Sequence, residues 1–371
     1  MADQFSVNKI LKGLKNGLGE DDYIEPLEIL INALNKNKLN LFGELAFKHQ
    51  LKRRLKTRKL LYTEFNKNTY RDPADPLFVI GLPRSGTTFL FNLLYQDPSH
   101  RSPLYWEIMN PLPITKNNKE INGRVRKVNR DLLIAKTVIP KLRKMHTIRA
   151  QMPEECEQIA TMHAKSFVYI CMADIPAYAE YLKTCDFDSV FKWHKRFFQV
   201  IEGNKRPKRW LLKDPSHIGH IPSILKTYPN AKFINIHRNP SEAVSSFCSL
   251  TSNIRSSFTK QVDKAAIGET MIDFWSHNVK QGMIDRHLIP ENNIADVMYE
   301  DFIKNPLLEI KNIYSNLQLD MTIGAENNIQ SYLSKGSDKS KSKHYYSIQD
   351  FDISEENIRH PFRDYMLKYD F

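Results

Sequence analysis

The sequence predicts an α/β fold built on a central parallel sheet, and three observations carry that reading. Short, β-rich apolar runs recur at Leu77 to Gly81, Arg209 to Leu212, Lys232 to His237 and Ile294 to Tyr299. Stretches with helical spacing separate them, which is how parallel strands are connected. A turn bracketed by Gly81 and Gly86 joins the first run to a helix start. In such sheets ligands collect outside the carboxyl ends of the strands, where Arg84, Lys213, Arg238 and Glu300 all fall.

In chain order, residues 25 to 66 carry apolar side chains at helical intervals: Leu27, Leu30, Ile31 and Leu34, then Leu41, Leu45, Leu51 and Leu55. The polar stretch Asn35 to Asn40 divides them into two helices. The basic run Lys52 to Lys59 lies on the second helix and is read as a solvated face with no function. Asp72-Pro73-Ala74-Asp75-Pro76 is a breaker cluster that admits the chain to the first strand. The expected organisation is an N-terminal helical segment over residues 1–75 packed on the core, an α/β domain over 76–351 with a helical insertion at 120–203, and a C-terminal tail at 352–371. Lys335 to Lys343, rich in Gly, Ser and Lys, reads as a mobile loop.

The first strand and its turn, Leu77-Phe78-Val79-Ile80-Gly81-Leu82-Pro83-Arg84-Ser85-Gly86-Thr87-Thr88, have the form of a phosphate grip. Backbone N–H groups at a helix N-terminus face outward with the positive end of the helix dipole, and Thr87 and Thr88 add hydroxyl donors. A triphosphate loop of the form G-x-x-x-x-G-K-[ST] needs a Lys directly after its second Gly. Here that position is Thr87, and the cation sits two residues before Gly86 as Arg84. This argues against a γ-phosphate and favours a nucleotide whose single 5′-phosphate carries an attached group.

Pro83-Arg84-Ser85-Gly86-Thr87-Thr88 after a buried strand resembles the 5′-phosphosulfate loop of sulfotransferases that use 3′-phosphoadenosine 5′-phosphosulfate (PAPS), in a branch common in bacteria. Lys232 to Ser246 is similar to that family's 3′-phosphate motif, a strand ending in Arg238 with Ser246 eight residues later on a helix. Arg209 to His217 is similar to the strand whose terminal Lys, here Lys213, faces the transferred group. Lys335 to Phe351 resembles the basic, aromatic tail that closes over the nucleotide. The three motifs occur in order between Pro76 and Phe302. The resemblance implies a P-loop-like three-layer fold and sulfuryl transfer to a hydroxyl or amine of a small-molecule acceptor, with 3′-phosphoadenosine 5′-phosphate (PAP) as product. It places Arg84, Ser85, Gly86, Thr87 and Thr88 at the 5′-phosphosulfate, Arg238 and Ser246 at the 3′-phosphate, and Lys341, Lys343, His344 and Tyr345 over the adenosine or its 3′-phosphate, with a flexible basic loop that holds no ligand as the equal alternative for these four. Residues 120–203, which lack nucleotide motifs, fall to the acceptor side.

Composition bounds the partners. The chain has 371 residues, a net charge of +12 and 41% hydrophobic residues, enough for a sizeable core. The excess of cations suits an anionic ligand such as PAPS, but Lys and Arg are spread along the chain with no zinc-finger or RNP-like pattern, so nucleic acid is not expected. No secretory signal is read at Met1 to Lys12, and no window reaches the length of a membrane span. Cys156, Cys171, Cys185 and Cys248 have no metal-ligand spacing and are expected as reduced thiols in a cytoplasm. No metal is expected either, since Arg84 and Lys213 can neutralise the charge on the sulfuryl and phosphate oxygens. Oligomeric state is not legible.

The acceptor must lose a proton as it attacks, so the reaction needs a base. In the small-molecule branch of the family a His stands two residues after the strand-end Lys, and this chain has Pro215 there. Glu107 falls about where other branches carry a catalytic Glu and is the favoured base. His217 is the second choice, and a helix-start His serving only structure is its equal alternative. His146 with Glu154 and Glu155 forms a third group, although Pro153 followed by two acids is also how an ordinary helix begins. Two competing functions stay open: a nucleotide kinase or NTPase, which would want Lys at position 87, and a scaffold that holds PAPS or PAP without turnover.

Overall fold

A computed structural model describes residues 5–14, 16–138, 148–203, 206–335 and 348–371. His146, Lys341, Lys343, His344, Tyr345 and most of the expected loop at 335–343 lie outside these residues. Contacts group the chain into two compact units, one of residues 1–73, 103–206 and 250–263, the other of residues 74–102, 207–249 and 264–371. The grouping cuts across the expected segments. Residues 103–119 and 250–263 go with the helical unit, and the tail 352–371 goes with the sheet unit, where Phe362, Tyr365 and Met366 are buried.

In the sheet unit, β1 (Pro76–Gly81) is buried at every residue. It lies between β3 (Arg209–Lys213) and β4 (Lys232–His237), with β2 (His100–Arg101) and β5 (Ile294–Met298) outside them, giving the order β2-β3-β1-β4-β5. Every pairing is parallel. The period of two sends Leu77 and Val79 into a cluster with Leu90, Leu94, Ile234, Ile236 and Val297. Phe78 stacks on Phe233 with centroids 5.7 Å apart. All four strands read from the sequence exist, the fourth ending one residue early because Tyr299 opens a helix. β2 was not anticipated: it is two residues long, held by His100 opposite Arg209 and Arg101 opposite Trp210, too short to show a period.

Topology fixes where a ligand can sit. The chain leaves β1 toward the β3 side to reach β2, and leaves β4 toward β5 on the other side. The boundary between β1 and β4 is therefore where the connections part, and such a boundary opens a crevice at the carboxyl ends of the strands. Gly81, the last residue of β1, is paired there with Ile236.

In the helical unit, the two expected N-terminal helices run over Ile24–Asn35 and Leu41–Phe65, after a short helix Val7–Leu11 that was not anticipated. The break falls where expected, because the Asn40 side chain accepts the Gly43 N–H at 2.7 Å and caps the second helix. The basic run on that helix is not a uniformly solvated face. Its helical period turns Arg54 and Arg58 inward to 2% and 0% exposure, while Lys52 and Lys56 point out. Arg58 donates to the carbonyls of Leu18 at 2.7 Å and Glu20 at 2.8 Å, pairs with Asp22, and lies 4.0 Å from the centre of the Trp193 ring. Arg54 donates to Gln158.

A second expectation also fails locally. Pro153 does not open a helix: it forms an isolated antiparallel bridge with Leu104, and the helix begins at Glu157. Tyr105 N–H donates to Met152 O at 3.0 Å and Glu154 N–H to Pro103 O at 2.9 Å, so pairing with a distant segment overrides the local signal. All four cysteines are free thiols.

Candidate functional site

The loop after β1 is shaped by two glycines. Gly81 has φ +134°, and a Cβ there would stand 2.4 Å from the Ile236 carbonyl oxygen. Gly86 has φ +92°, and a Cβ would meet the Tyr299 ring at 2.9 Å. Between them Arg84 itself has φ 69°, an uncommon conformation for a residue with a side chain. Ser85 closes the turn by donating its N–H to Leu82 O at 3.2 Å and its hydroxyl to the same oxygen at 2.6 Å. Both Ser85 donors thus act within the loop. The helix that follows, Thr87–Leu94, has Gly86 at its N-cap, which has no side chain to cap its first-turn N–H groups.

Around this loop the predicted residues meet. Arg84 Nε donates to Ser246 Oγ at 3.1 Å. Arg238, which follows β4 directly, donates one terminal nitrogen to the Arg84 carbonyl at 2.7 Å. Lys213, the last residue of β3, donates Nζ to Thr88 Oγ1 at 3.2 Å and is 2% exposed. Three strand ends, β1, β3 and β4, thus deliver two guanidinium groups and an ammonium to one turn and the helix it opens. Charges gathered like this repel unless an anion joins them, and the uncapped amides add to the same field.

The base candidates fall in both units. His217 is on the 3₁₀ turn Pro215–His220, which Asp214 starts by accepting the N–H and the hydroxyl of Ser216, each at 2.8 Å. The His217 ring is buried edge-on to Phe78, centroids 5.1 Å apart. Glu107, in the helical unit, occupies the third position of the helix Tyr105–Met109 and accepts the Leu104 N–H at 2.9 Å. That is one half of a capping box, the apolar Leu104 being unable to supply the other. Glu154 sits on the strand-like segment beside Leu104, and Glu300 is exposed in the first turn of the helix Tyr299–Lys304.

Three features of the site escaped sequence reasoning. Glu242 Oε2 accepts from Arg238 at 3.1 and 2.7 Å, and this i,i+4 spacing was visible in the sequence. Tyr299 lies under the Arg238 guanidinium, 4.2 Å from it. Behind the strand end, His237 bonds Asp296 at 2.9 Å and the Tyr365 hydroxyl at 3.1 Å and stacks on Tyr369 at 3.6 Å. Burial holds the His237 ring below its usual pKa, against the opposing pull of Asp296. Those contacts join residues far apart in the chain, so no local pattern announces them.

Cations gathered at strand ends on this topology define a class, and comparison agrees: residues 76–322 match the model of the Sulfotransferase family, and the chain belongs to that family. Among individual relatives, it is 26% identical over 263 residues to omega-hydroxy-beta-dihydromenaquinone-9 sulfotransferase Stf3 of Mycobacterium bovis and of Mycobacterium tuberculosis. The match covers 66% of this chain and spans 63% of the length of those relatives. The crystal structure of sulfotransferase STF1 from Mycobacterium tuberculosis H37Rv superposes with a TM-score of 0.87 at 26% identity, covering 98% of this chain and all of that one. Sulfotransferase STF9 from Mycobacterium avium shares the fold, with a TM-score of 0.83 at 22% identity over 99% of this chain and 97% of its own. Among the described residues no helix is long and apolar enough to cross a membrane.

Proposed function

We propose that this chain transfers a sulfuryl group from PAPS to a hydroxyl or amine of a small-molecule acceptor and releases PAP. The observation that carries the reading is the contact chain Ser246–Arg84–Arg238, with Lys213 and Thr88 on the helix start of the same loop. The residues suit such a nucleotide: Gly81 and Gly86 leave the two ends of the turn without side chains, and the helix start has donors and no side-chain cap. When bound, PAPS supplies the sulfuryl group and a phosphate leaving group. Helix-start amides with Thr87 and Thr88 hold the 5′-phosphate, and Arg238 with Ser246 holds the 3′-phosphate. Arg84 and Lys213 place positive charge where negative charge grows on the departing oxygen. Ser85 keeps the loop in shape. No metal ion is required in this scheme, because the side-chain cations supply the charge.

Glu107 is the proposed base that takes the acceptor's proton, with His217 as the alternative. The two Stf3 relatives are called omega-hydroxy-beta-dihydromenaquinone-9 sulfotransferases, which supports a hydroxyl on an apolar molecule as the acceptor. Free thiols support a reducing, cytoplasmic setting. The kinase reading is disfavoured because Thr87 stands where that loop needs Lys. Transfer from labelled PAPS to a panel of hydroxyl and amine acceptors, measured for Glu107→Gln and His217→Asn, tests the scheme. Glu107→Gln is expected to lower turnover about 100-fold or more with PAP binding intact, the usual scale of general-base loss. If neither substitution slows transfer, the base assignment is wrong; if the unaltered chain binds PAP and transfers nothing to any acceptor, it is a scaffold.

A further inference from the structure

One surface of the helical unit is left unexplained by nucleotide chemistry. The helix Leu41–Phe65 exposes residues 41, 45, 49, 52, 56, 60 and 63, a single stripe at the helical repeat. It carries Leu41 71%, Leu45 57% and Leu60 45% exposed, with His49, Lys52 and Lys56 between Leu45 and Leu60. From Leu45 to Leu60 the stripe forms one wall of an open groove of about 750 Å³, whose other residues include Lys48, Arg53 and Lys127, with Asp131 as the one acid among the described residues that line it. Asp131 is already paired with Arg53 at 3.6 Å. Lys48, Lys52, Lys56 and Lys127 are left facing the groove, with exposed Leu45 and Leu60 flanking them on the helix.

We infer that this groove docks the chain on a lipid surface bearing anionic headgroups. The charge is complementary to such a surface, and the leucines can enter the boundary between headgroups and acyl chains, as on interfacial helices. A nucleic-acid duplex would engage the lysines through its phosphates but offers nothing for Leu45 and Leu60 to enter, so the leucines favour lipid. Docking here requires no membrane span. It is independent of the nucleotide site, since none of the groove residues has a role in the proposed transfer.

Cosedimentation with phosphatidylcholine vesicles, with and without about one phosphatidylglycerol in three lipids, reads the inference directly. Each lysine near an anionic surface is worth about fivefold in partitioning, so the full chain should bind anionic vesicles at least about tenfold more tightly than neutral ones and lose this in high salt. Lys52→Glu with Lys56→Glu should abolish the difference. Lys52→Gln with Lys56→Gln is the milder pair if the first disturbs folding, and Leu45→Ser with Leu60→Ser should weaken vesicle binding severalfold. Equal binding to both vesicle types, or anionic binding untouched by the lysine substitutions, overturns the inference. So does binding to short duplex DNA as tight as to vesicles and indifferent to the leucine changes, which would mark a general polyanion surface.

Discussion

Arg238 shows how much of the site is a matter of single charges. Its guanidinium is occupied by Glu242, which must give way before a phosphate can take its place. Glu242→Gln removes a competing negative charge and keeps the shape. PAP affinity is expected to rise about twofold to fivefold at low salt, the scale of an ion pair at a partly exposed site, and titration calorimetry would measure it. Unchanged affinity would mean that Arg238 does not meet a phosphate. Residue by residue, legibility followed chemistry: Arg84, Lys213, Arg238 and Ser246 were named from motif spacing and do come together. Ser85 was expected at the ligand, yet its hydroxyl serves the Leu82 carbonyl, since a motif gives a residue's identity but not the direction of its side chain.

At the scale of elements, the strands were readable because each is a short apolar run buried on both faces, and the loop was readable because its glycines are forced. Gly81→Ala would drive a Cβ to within 2.4 Å of a backbone oxygen on β4 and hold a positive φ as well. The expected loss is about 2–3 kcal/mol of stability in urea unfolding, together with weaker PAP binding, because the β1–β4 crevice must open. Gly13→Ala, also at positive φ but with nothing within 4 Å, should lose less and leave PAP binding alone. What stayed illegible was tertiary. β2 exists only through its partner β3, Pro153 is claimed by Leu104, and the run Lys52 to Lys59 is split by helical period into buried arginines and exposed lysines. The residue types were visible, but the neighbours that decide their roles were not.

Among the described residues, the buried histidines His100, His163, His194 and His237 are held below their usual pKa, with burial the largest cause in each. His194 is pushed down to about 3. In the unfolded chain these rings titrate near 6.5, so below that pH the unfolded state binds protons that the folded state refuses. Stability should therefore hold above about pH 6.5 and fall steadily as pH drops, by about 1.4 kcal/mol per pH unit for each ring still neutral. His194→Gln should flatten the slope by about one proton between pH 6 and about 4 in denaturant titrations. An equal slope in that variant would show that the acid sensitivity arises elsewhere. The central claim, that β1, β3 and β4 hold a doubly phosphorylated adenosine at one crevice, is tested most directly by thermal unfolding with PAP or with ATP and Mg²⁺. The account predicts that PAP at about a hundred times its dissociation constant adds about 2.7 kcal/mol and raises Tm, and that ATP with Mg²⁺ does not. A rise with ATP and Mg²⁺ alone, or none with PAP, would contradict it.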